Sequence, residues 1–220
     1  MLNTVLTVIE YIGVVSFAIS GALMAIDKEN DFVGVVFLAI ITTFGGGMLR
    51  DIFIGNTPPV FFTLYPLVLT CVATATVTFV LAAIFKRQYV RNESFINAVN
   101  NYFDALGLGV FVISGARLCI DLGIDNPLLI IVMGMLSGTG GSMTRDIIMS
   151  EVPALLRKRI YLIAALAGAS LSYLLYACGV AEIVSVPVSV ILIVAIRVLA
   201  TVLKLNAPKA IDFSKMSGNN

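Results

Sequence analysis

The sequence predicts an all-α integral membrane protein with seven transmembrane helices, built as two inverted three-helix repeats plus a seventh helix. Three features lead to this prediction: an extreme composition, seven apolar stretches of membrane-spanning length, and a pattern that occurs twice. Of the 220 residues, 59% are hydrophobic and 12% are charged, and the mean hydropathy is +1.02. Soluble domains are about 45–50% apolar and about 25% charged. The composition therefore indicates a chain that folds in lipid.

Seven apolar stretches approach or reach the length of about 20 residues that a helix needs to cross a bilayer. In chain order they are Val5–Ile26, Phe32–Ile54, Leu64–Phe85, Tyr102–Ile120, Leu128–Met149, Ile160–Cys178 and Ile183–Leu203. The first stretch has no basic segment before it and is longer than the apolar core of a signal peptide. We therefore expect all seven stretches to be transmembrane helices.

The loop charges predict the orientation. If the helices alternate in direction, ten of the 14 Lys and Arg residues fall on one side of the membrane and only Arg117 falls on the other. Cytoplasmic loops carry the excess of basic residues. We therefore expect a multi-pass protein of the plasma (inner) membrane with its N-terminus outside and its C-terminus in the cytoplasm. Residues 1–205 would form one transmembrane domain, and the polar segment 206–220 would be a disordered cytoplasmic tail.

An internal repeat divides the first six helices into two units. The matching pairs, 94 or 95 positions apart, are Glu10 with Asp104, Gly13 with Gly107, Phe17 with Phe111, Ser20 with Ser114, Gly45 with Gly140, Arg50 with Arg145, Asp51 with Asp146 and Pro58 with Pro153. We place repeat one at about 5–85, repeat two at about 98–178 and the seventh helix at about 183–203. Because three helices are an odd number, the second unit must be inverted. Inverted repeats are typical of transport proteins that have their working site near the midplane.

Glycine runs lie in the second helix and in its counterpart, the fifth. Their members are Gly45, Gly46, Gly47, Gly138, Gly140 and Gly141. Each glycine costs about 1 kcal/mol relative to alanine inside a helix, and irregular backbone in a membrane requires protein or a water-filled cavity beside it. We therefore predict kinks or breaks that line a polar path. The alternative is close helix packing, for which small residues are also suited.

An Arg-Asp pair follows each glycine run. Charges at membrane depth cost at least about 2.5–3.5 kcal/mol each unless they are paired or hydrated. One hypothesis is that the pairs are satisfied across the inverted axis, Arg50 with Asp146 and Arg145 with Asp51. The alternative is that both pairs lie at the membrane edge. Two further acids in equivalent positions, Glu10 and Asp104, either face the pore or cap their helices.

Several function classes fit the sequence poorly. There is no His, and the formal net charge is +1, so neither an enzyme nor a nucleic-acid partner is expected, and no cofactor or resident metal. Two basic clusters are candidate sites for anionic lipid headgroups, although such clusters also simply fix topology. Their members are Lys86, Arg87, Arg157, Lys158 and Arg159.

The repeated glycine, Arg-Asp and proline signature resembles that of the prokaryotic trimeric intracellular cation (TRIC) channels. The blocks that carry the resemblance include "TTFGGGMLRDIFIGNTPPVFF" and "SGTGGSMTRDIIMSEVPALL". The resemblance spans about residues 5–205 and implies a homotrimer with a pore in each protomer that passes monovalent cations, chiefly potassium. Helices two and five, with helices one and four, would line that pore. Ser142 stands where many relatives have another glycine.

The alternative function is a secondary transporter for a small amino acid such as glycine, because some bacterial proteins with this domain are described in that way. A helix break would offer nearby arginines to a carboxylate, or freed carbonyl groups to a cation. The sequence alone leaves both functions open.

Overall fold

The computed structural model describes residues 2–157 and 159–203. The long helices in that part of the chain are α1 (Leu2–Asp27), α2 (Phe32–Ile54), α3 (Tyr65–Ile84), α5 (Glu93–Asp121), α6 (Pro127–Ile148), α8 (Arg159–Ala177) and α9 (Glu182–Val202). Each contains a segment long and apolar enough to cross a membrane, and no strand occurs among the described residues. The all-α fold class is confirmed. The predicted tail, 206–220, lies outside the described residues.

Three short helices were not predicted: a 3-10 helix at Val60–Thr63, α4 (Lys86–Arg91) and α7 (Ala154–Arg157). The fourth transmembrane helix also begins earlier than its apolar stretch suggested, at Glu93 rather than Tyr102. The added turns contain polar residues, such as Asn100 and Asn101, which a hydropathy criterion excludes although they are compatible with a helix. The apolar pattern therefore located the spans but underestimated this helix.

Local capping fixes the ends of the two glycine-containing helices. The Asp31 side chain accepts a hydrogen bond from the Gly34 N–H at 2.8 Å at the start of α2. At its end, Gly55 adopts a left-handed conformation (φ 71°), which glycine accepts without steric cost. Asn126 caps the start of α6, and Pro127 occupies its first turn.

Helices α2 and α6 cross in direct backbone contact at their glycines. A Cβ atom built on Gly46 would lie 2.1 Å from the carbonyl oxygen of Ser137, and one built on Gly141 would lie 2.1 Å from the carbonyl oxygen of Thr42. The two contacts are equivalent in the repeat, since Gly46 matches Gly141 and Thr42 matches Ser137. The equal distances therefore place this crossing on the pseudo-twofold axis between the repeats.

A second symmetric contact joins α1 and α5. The rings of Phe17 and Phe111, which are equivalent in the repeat, stack with centroids 5.3 Å apart and planes 5° from parallel. Gly13 and Gly107 make room for this layer, since a Cβ on Gly107 would lie 2.2 Å from the Phe17 ring. The unduplicated helix α9 packs beside this core against α5 and α8, where Ile193 and Val190 are buried.

Of the predicted kinks or breaks, the breaks are wrong, whereas kinks at the glycines and their lining of a polar path stay predictions. Both α2 and α6 are continuous through the glycines, and at the crossing the opposing backbone fills the space that side chains would occupy. Gly45, Gly46, Gly140 and Gly141 are buried at the crossing, and Gly138 packs against Leu108 and Val112 of α5. Gly47 differs, since the nearest heavy atom to its Cβ position is Arg50 Nη2 at 3.7 Å.

Alanine at the crossing should therefore destabilise the protein. In G46A or G141A the new methyl group meets a carbonyl oxygen that cannot move without moving a helix. We expect each to cost about 1–3 kcal/mol, a fall in Tm of roughly 2–4 °C per kcal/mol. The measurement is thermal unfolding in detergent followed by circular dichroism. G47A is the matched control and should unfold at or above the wild-type temperature. Equal Tm values for G46A and G47A would contradict the assignment.

Candidate functional site

The charged residues predicted from the sequence form two groups, one in each repeat. We call the first the Glu10 cavity, a space of about 200 Å³ whose lining includes Glu10, Gly47, Arg50, Asp51 and Ser114. We call the second the Asp104 cluster, which comprises Asp104, Arg145, Asp146, Tyr161 and Arg197. Three membrane crossings separate equivalent residues of the two repeats. The two groups therefore lie toward opposite faces of the membrane.

In the first repeat, Arg50 pairs with its own neighbour. Arg50 donates to Asp51 Oδ1 from Nε at 2.9 Å and from Nη2 at 2.7 Å. Its Nη1 donates to Ser137 Oγ of α6 at 3.1 Å. The second oxygen of Asp51 accepts the Val60 N–H at 2.8 Å, at the first residue of the 3-10 helix. One carboxylate thus holds both the arginine and the chain that leaves α2.

The second repeat reproduces this arrangement. Arg145 donates to Asp146 Oδ1 from Nε at 2.9 Å and from Nη2 at 2.8 Å. Asp146 Oδ2 accepts the Ala154 N–H at 2.8 Å, at the first residue of α7. Arg145 Nη1 donates to Ser20 Oγ of α1 at 3.1 Å. Both pairs are almost completely buried, with 1–7% exposure.

The hypothesis of pairing across the axis is wrong. Consecutive helical residues do point in different directions, but the long arginine side chain turns back so that its planar fork meets one oxygen of the adjacent carboxylate. Such charge-assisted bonds are shorter and stronger than neutral ones. Across the axis, each arginine instead meets a serine hydroxyl. The sequence left open whether these charges are satisfied inside the protein or lie at the membrane edge. The structure combines the two, since both pairs lie near the ends of their helices and both are enclosed by protein.

The Glu10 cavity combines charged, hydroxyl and apolar groups. Glu10 on α1 is partly exposed, and its carboxylate accepts a hydrogen bond from Ser114 Oγ of α5 at 3.3 Å. Thr43 of α2 and Phe111 of α5 also line the space. Beyond them, Arg117 forms ion pairs with Asp121 at 2.9 Å and with Glu182. This cavity presents a carboxylate and hydroxyl oxygens to an open volume between α1, α2 and α5.

The Asp104 cluster is closed. Asp104 is 7% exposed, and its Oδ2 accepts a hydrogen bond from Arg197 Nη2 at 3.1 Å. Arg145 Nη1 lies 3.7 Å from Asp104 Oδ1. The guanidinium carbon of Arg197 lies 4.3 Å from the centre of the Tyr161 ring, and the Tyr161 hydroxyl is 2.9 Å from Ser142 Oγ. Arg197 and Tyr161 come from α9 and α8, which the sequence had not connected with a site.

The signal for the missed Arg197 was its position inside the last apolar helix, because charges within spans usually mark function. Tyr161 gave no comparable signal. The predicted lipid-binding residues Lys86 and Arg87 are exposed on α4, so their role stays a prediction. Lys158 lies outside the described residues, and the side chains of Arg157 and Arg159 are not described either.

Fold and site together define a multi-pass membrane protein of inverted-repeat architecture, with buried charges at each end of the repeat interface. A family model described as "Glycine transporter" matches residues 7–83 and 101–177, once for each repeat. A UPF0126 membrane protein of Deinococcus radiodurans is 40% identical over 76% of this chain and 74% of its own length.

Two solved structures are also similar. One comes from work on the structural basis for conductance through TRIC cation channels; it is 33% identical, has a TM-score of 0.80, and the match covers 94% of this chain and 97% of that one. The other is the TRIC orthologue of Rhodobacter sphaeroides, which is 32% identical with a TM-score of 0.80 over 92% and 100% of the two chains. The chain belongs to the family of the prokaryotic TRIC channels.

The observed pairing predicts which residues are energetically coupled. A double-mutant cycle with R50Q and D51N should give a coupling energy of about 0.5–3 kcal/mol, because the two side chains share hydrogen bonds. The matched cycle with R50Q and D146N should be additive within about 0.5 kcal/mol. Both are measured by denaturant unfolding in detergent. Stronger coupling in the second cycle would restore pairing across the axis.

Proposed function

We propose that this chain forms a monovalent cation channel that conducts chiefly potassium and assembles as a homotrimer with one path in each protomer. The observation that carries the proposal is the likeness to TRIC channels over nearly the whole chain, with 33% identity and a TM-score of 0.80. A likeness of this extent includes the helices on which the charged residues lie. The chemistry of those residues supports the same function.

The Glu10 cavity supplies the groups that a hydrated cation requires. Its carboxylate and the hydroxyl group of Ser114 are oxygen ligands on two different helices, α1 and α5. The cationic group of Arg50 is already neutralised by Asp51, so it does not cancel the charge of Glu10. We propose that the path runs from this cavity beside Gly47 and along the α2–α6 crossing toward Asp104.

A glycine transporter is the second candidate, favoured by the description of the family model and by a cavity that holds both a carboxylate and a guanidinium. A space of about 200 Å³ would admit a small amino acid. However, all three nitrogen atoms of Arg50 are already directed at Asp51 or Ser137. A substrate carboxylate would have to compete with those bonds, which favours the channel.

Reconstitution of the purified protein distinguishes the two functions. We expect unitary potassium currents in planar bilayers and no saturable glycine uptake into liposomes. E10Q should reduce the potassium conductance several-fold, because it removes the cavity charge, while D125N, an acid-to-amide change in an exposed loop, should leave it unchanged. Saturable glycine uptake without currents would establish the transporter instead.

The proposed orientation places the N-terminus outside and the C-terminus in the cytoplasm. A single cysteine at Asn56, after α2, should then react with a membrane-impermeant thiol reagent added to intact cells. A cysteine at Ser150, after α6, should react only after the membrane is opened. Background labelling is measured in a variant without Cys71, Cys119 and Cys178. Equal accessibility of both sites in intact cells would contradict the inverted repeat, and reversed accessibility would contradict the orientation.

A further inference from the structure

The two ends of the proposed path differ although the repeats match closely. Val60 and Ala154 occupy the same place in the two capping interactions, so Pro59 rather than Pro58 corresponds to Pro153. From this loop onward the offset between the repeats is 94 positions. Tyr161 is therefore the counterpart of Leu67.

The counterpart of the Glu10 cavity is filled. In repeat one, Gly47 and Leu67 both line the open space. In repeat two, Ser142 replaces Gly47 and Tyr161 replaces Leu67, and the hydroxyl groups of these two residues lie 2.9 Å apart. Tyr161 is fully buried. The side chains of Ser142 and Tyr161 thus fill the space that Gly47 and Leu67 leave open in repeat one.

Helix α9 completes the closure because it has no symmetric partner. It contributes Val186, a small apolar residue, to the Glu10 cavity and Arg197 to the Asp104 cluster. No basic side chain of the described residues forms a salt bridge with Glu10, whereas its counterpart Asp104 has Arg197 Nη2 at 3.1 Å. The guanidinium carbon of Arg197 also lies over the Tyr161 ring, 4.3 Å from its centre. The guanidinium group of Arg197 therefore occupies, beside Asp104, the position that is open beside Glu10.

The closed arrangement leaves polar atoms unsatisfied. Among the described residues, Asp104 Oδ1 and Arg197 Nε are buried without a hydrogen-bond partner, and Asp104 Oδ1 has only the 3.7 Å ion-pair contact with Arg145 Nη1. Unpaired buried polar groups destabilise the state that contains them. A permanent structural ion pair would be more stable if both of these atoms had hydrogen-bond partners. An arginine that exchanges with an incoming cation does not require such partners.

We propose that Arg197 is a tethered counter-ion that occupies the position where a permeating monovalent cation meets Asp104, and that with Tyr161 and Ser142 it closes this end of the path. The proposal rests on the proposed function and adds to it the residue that must move for conduction. When the Arg197 side chain leaves Asp104, the carboxylate becomes available to a cation, and the space beside Tyr161 opens.

The first test measures cation binding without conduction. Removing the tethered charge in R197Q leaves Asp104 for an external cation, so potassium should raise the Tm of R197Q by roughly 2–4 °C when it replaces choline at constant ionic strength. Wild type and the control R197K, which keeps a positive charge near Asp104, should not respond. A potassium-independent Tm in R197Q would overturn the proposal. Loss of conduction in every variant would instead count against the proposed function.

The second test measures potassium flux from liposomes. R197Q should increase the flux several-fold over wild type, and R197K should not. The variant S142G/Y161L gives repeat two the lining of repeat one and keeps all charges. It should also increase the potassium flux. If R197Q does not fold, this variant provides the test. Wild-type flux in the folded S142G/Y161L protein would show that these residues do not close the path.

Discussion

The architecture depends on the contact between the backbones of α2 and α6. No side chain fits between them at Gly46 and Gly141, because a Cβ atom at either position would lie 2.1 Å from a carbonyl oxygen of the other helix. In lipid there is little hydrophobic drive for helices to associate, so close packing at small residues supplies much of the attraction. The crossing joins the two repeats and sets the distance between the charged groups that each repeat contributes.

The second constraint is that each buried Arg-Asp pair, Arg50 with Asp51 and Arg145 with Asp146, is formed within one repeat. Asp51 and Asp146 each neutralise the preceding arginine and also accept a backbone N–H from the segment that follows. Breaking a buried pair by removing one partner leaves an uncompensated charge, which is strongly destabilising. These pairs therefore act as anchors of the helix ends, and Glu10 and Asp104 are the acids that remain for an ion in the proposed function. Their different surroundings give the two ends of the proposed path different properties.

Part of that difference originates in the helix outside the duplication. A strictly symmetric pair of repeats would have two equal cavities, one open to each face, or none. Helix α9 contacts both ends with different residues, apolar Val186 at the Glu10 cavity and cationic Arg197 at the Asp104 cluster. Together with Ser142 and Tyr161 of repeat two, this unduplicated helix closes one end and leaves the other open, as a controlled opening of the proposed path would require.

The sequence by itself determined the membrane class, the seven spans and the inverted repeat, because hydropathy, length and repetition are properties of the chain read in order. It also identified Arg50, Asp51, Arg145 and Asp146 as the charges to be explained. Only the tertiary structure decided how they are satisfied and what the glycines do, since both depend on which helix lies opposite: Gly46 looks the same in sequence whether it faces water or Ser137. The role of Arg197 was decided at the same level, because its partners Asp104 and Tyr161 come from two other helices.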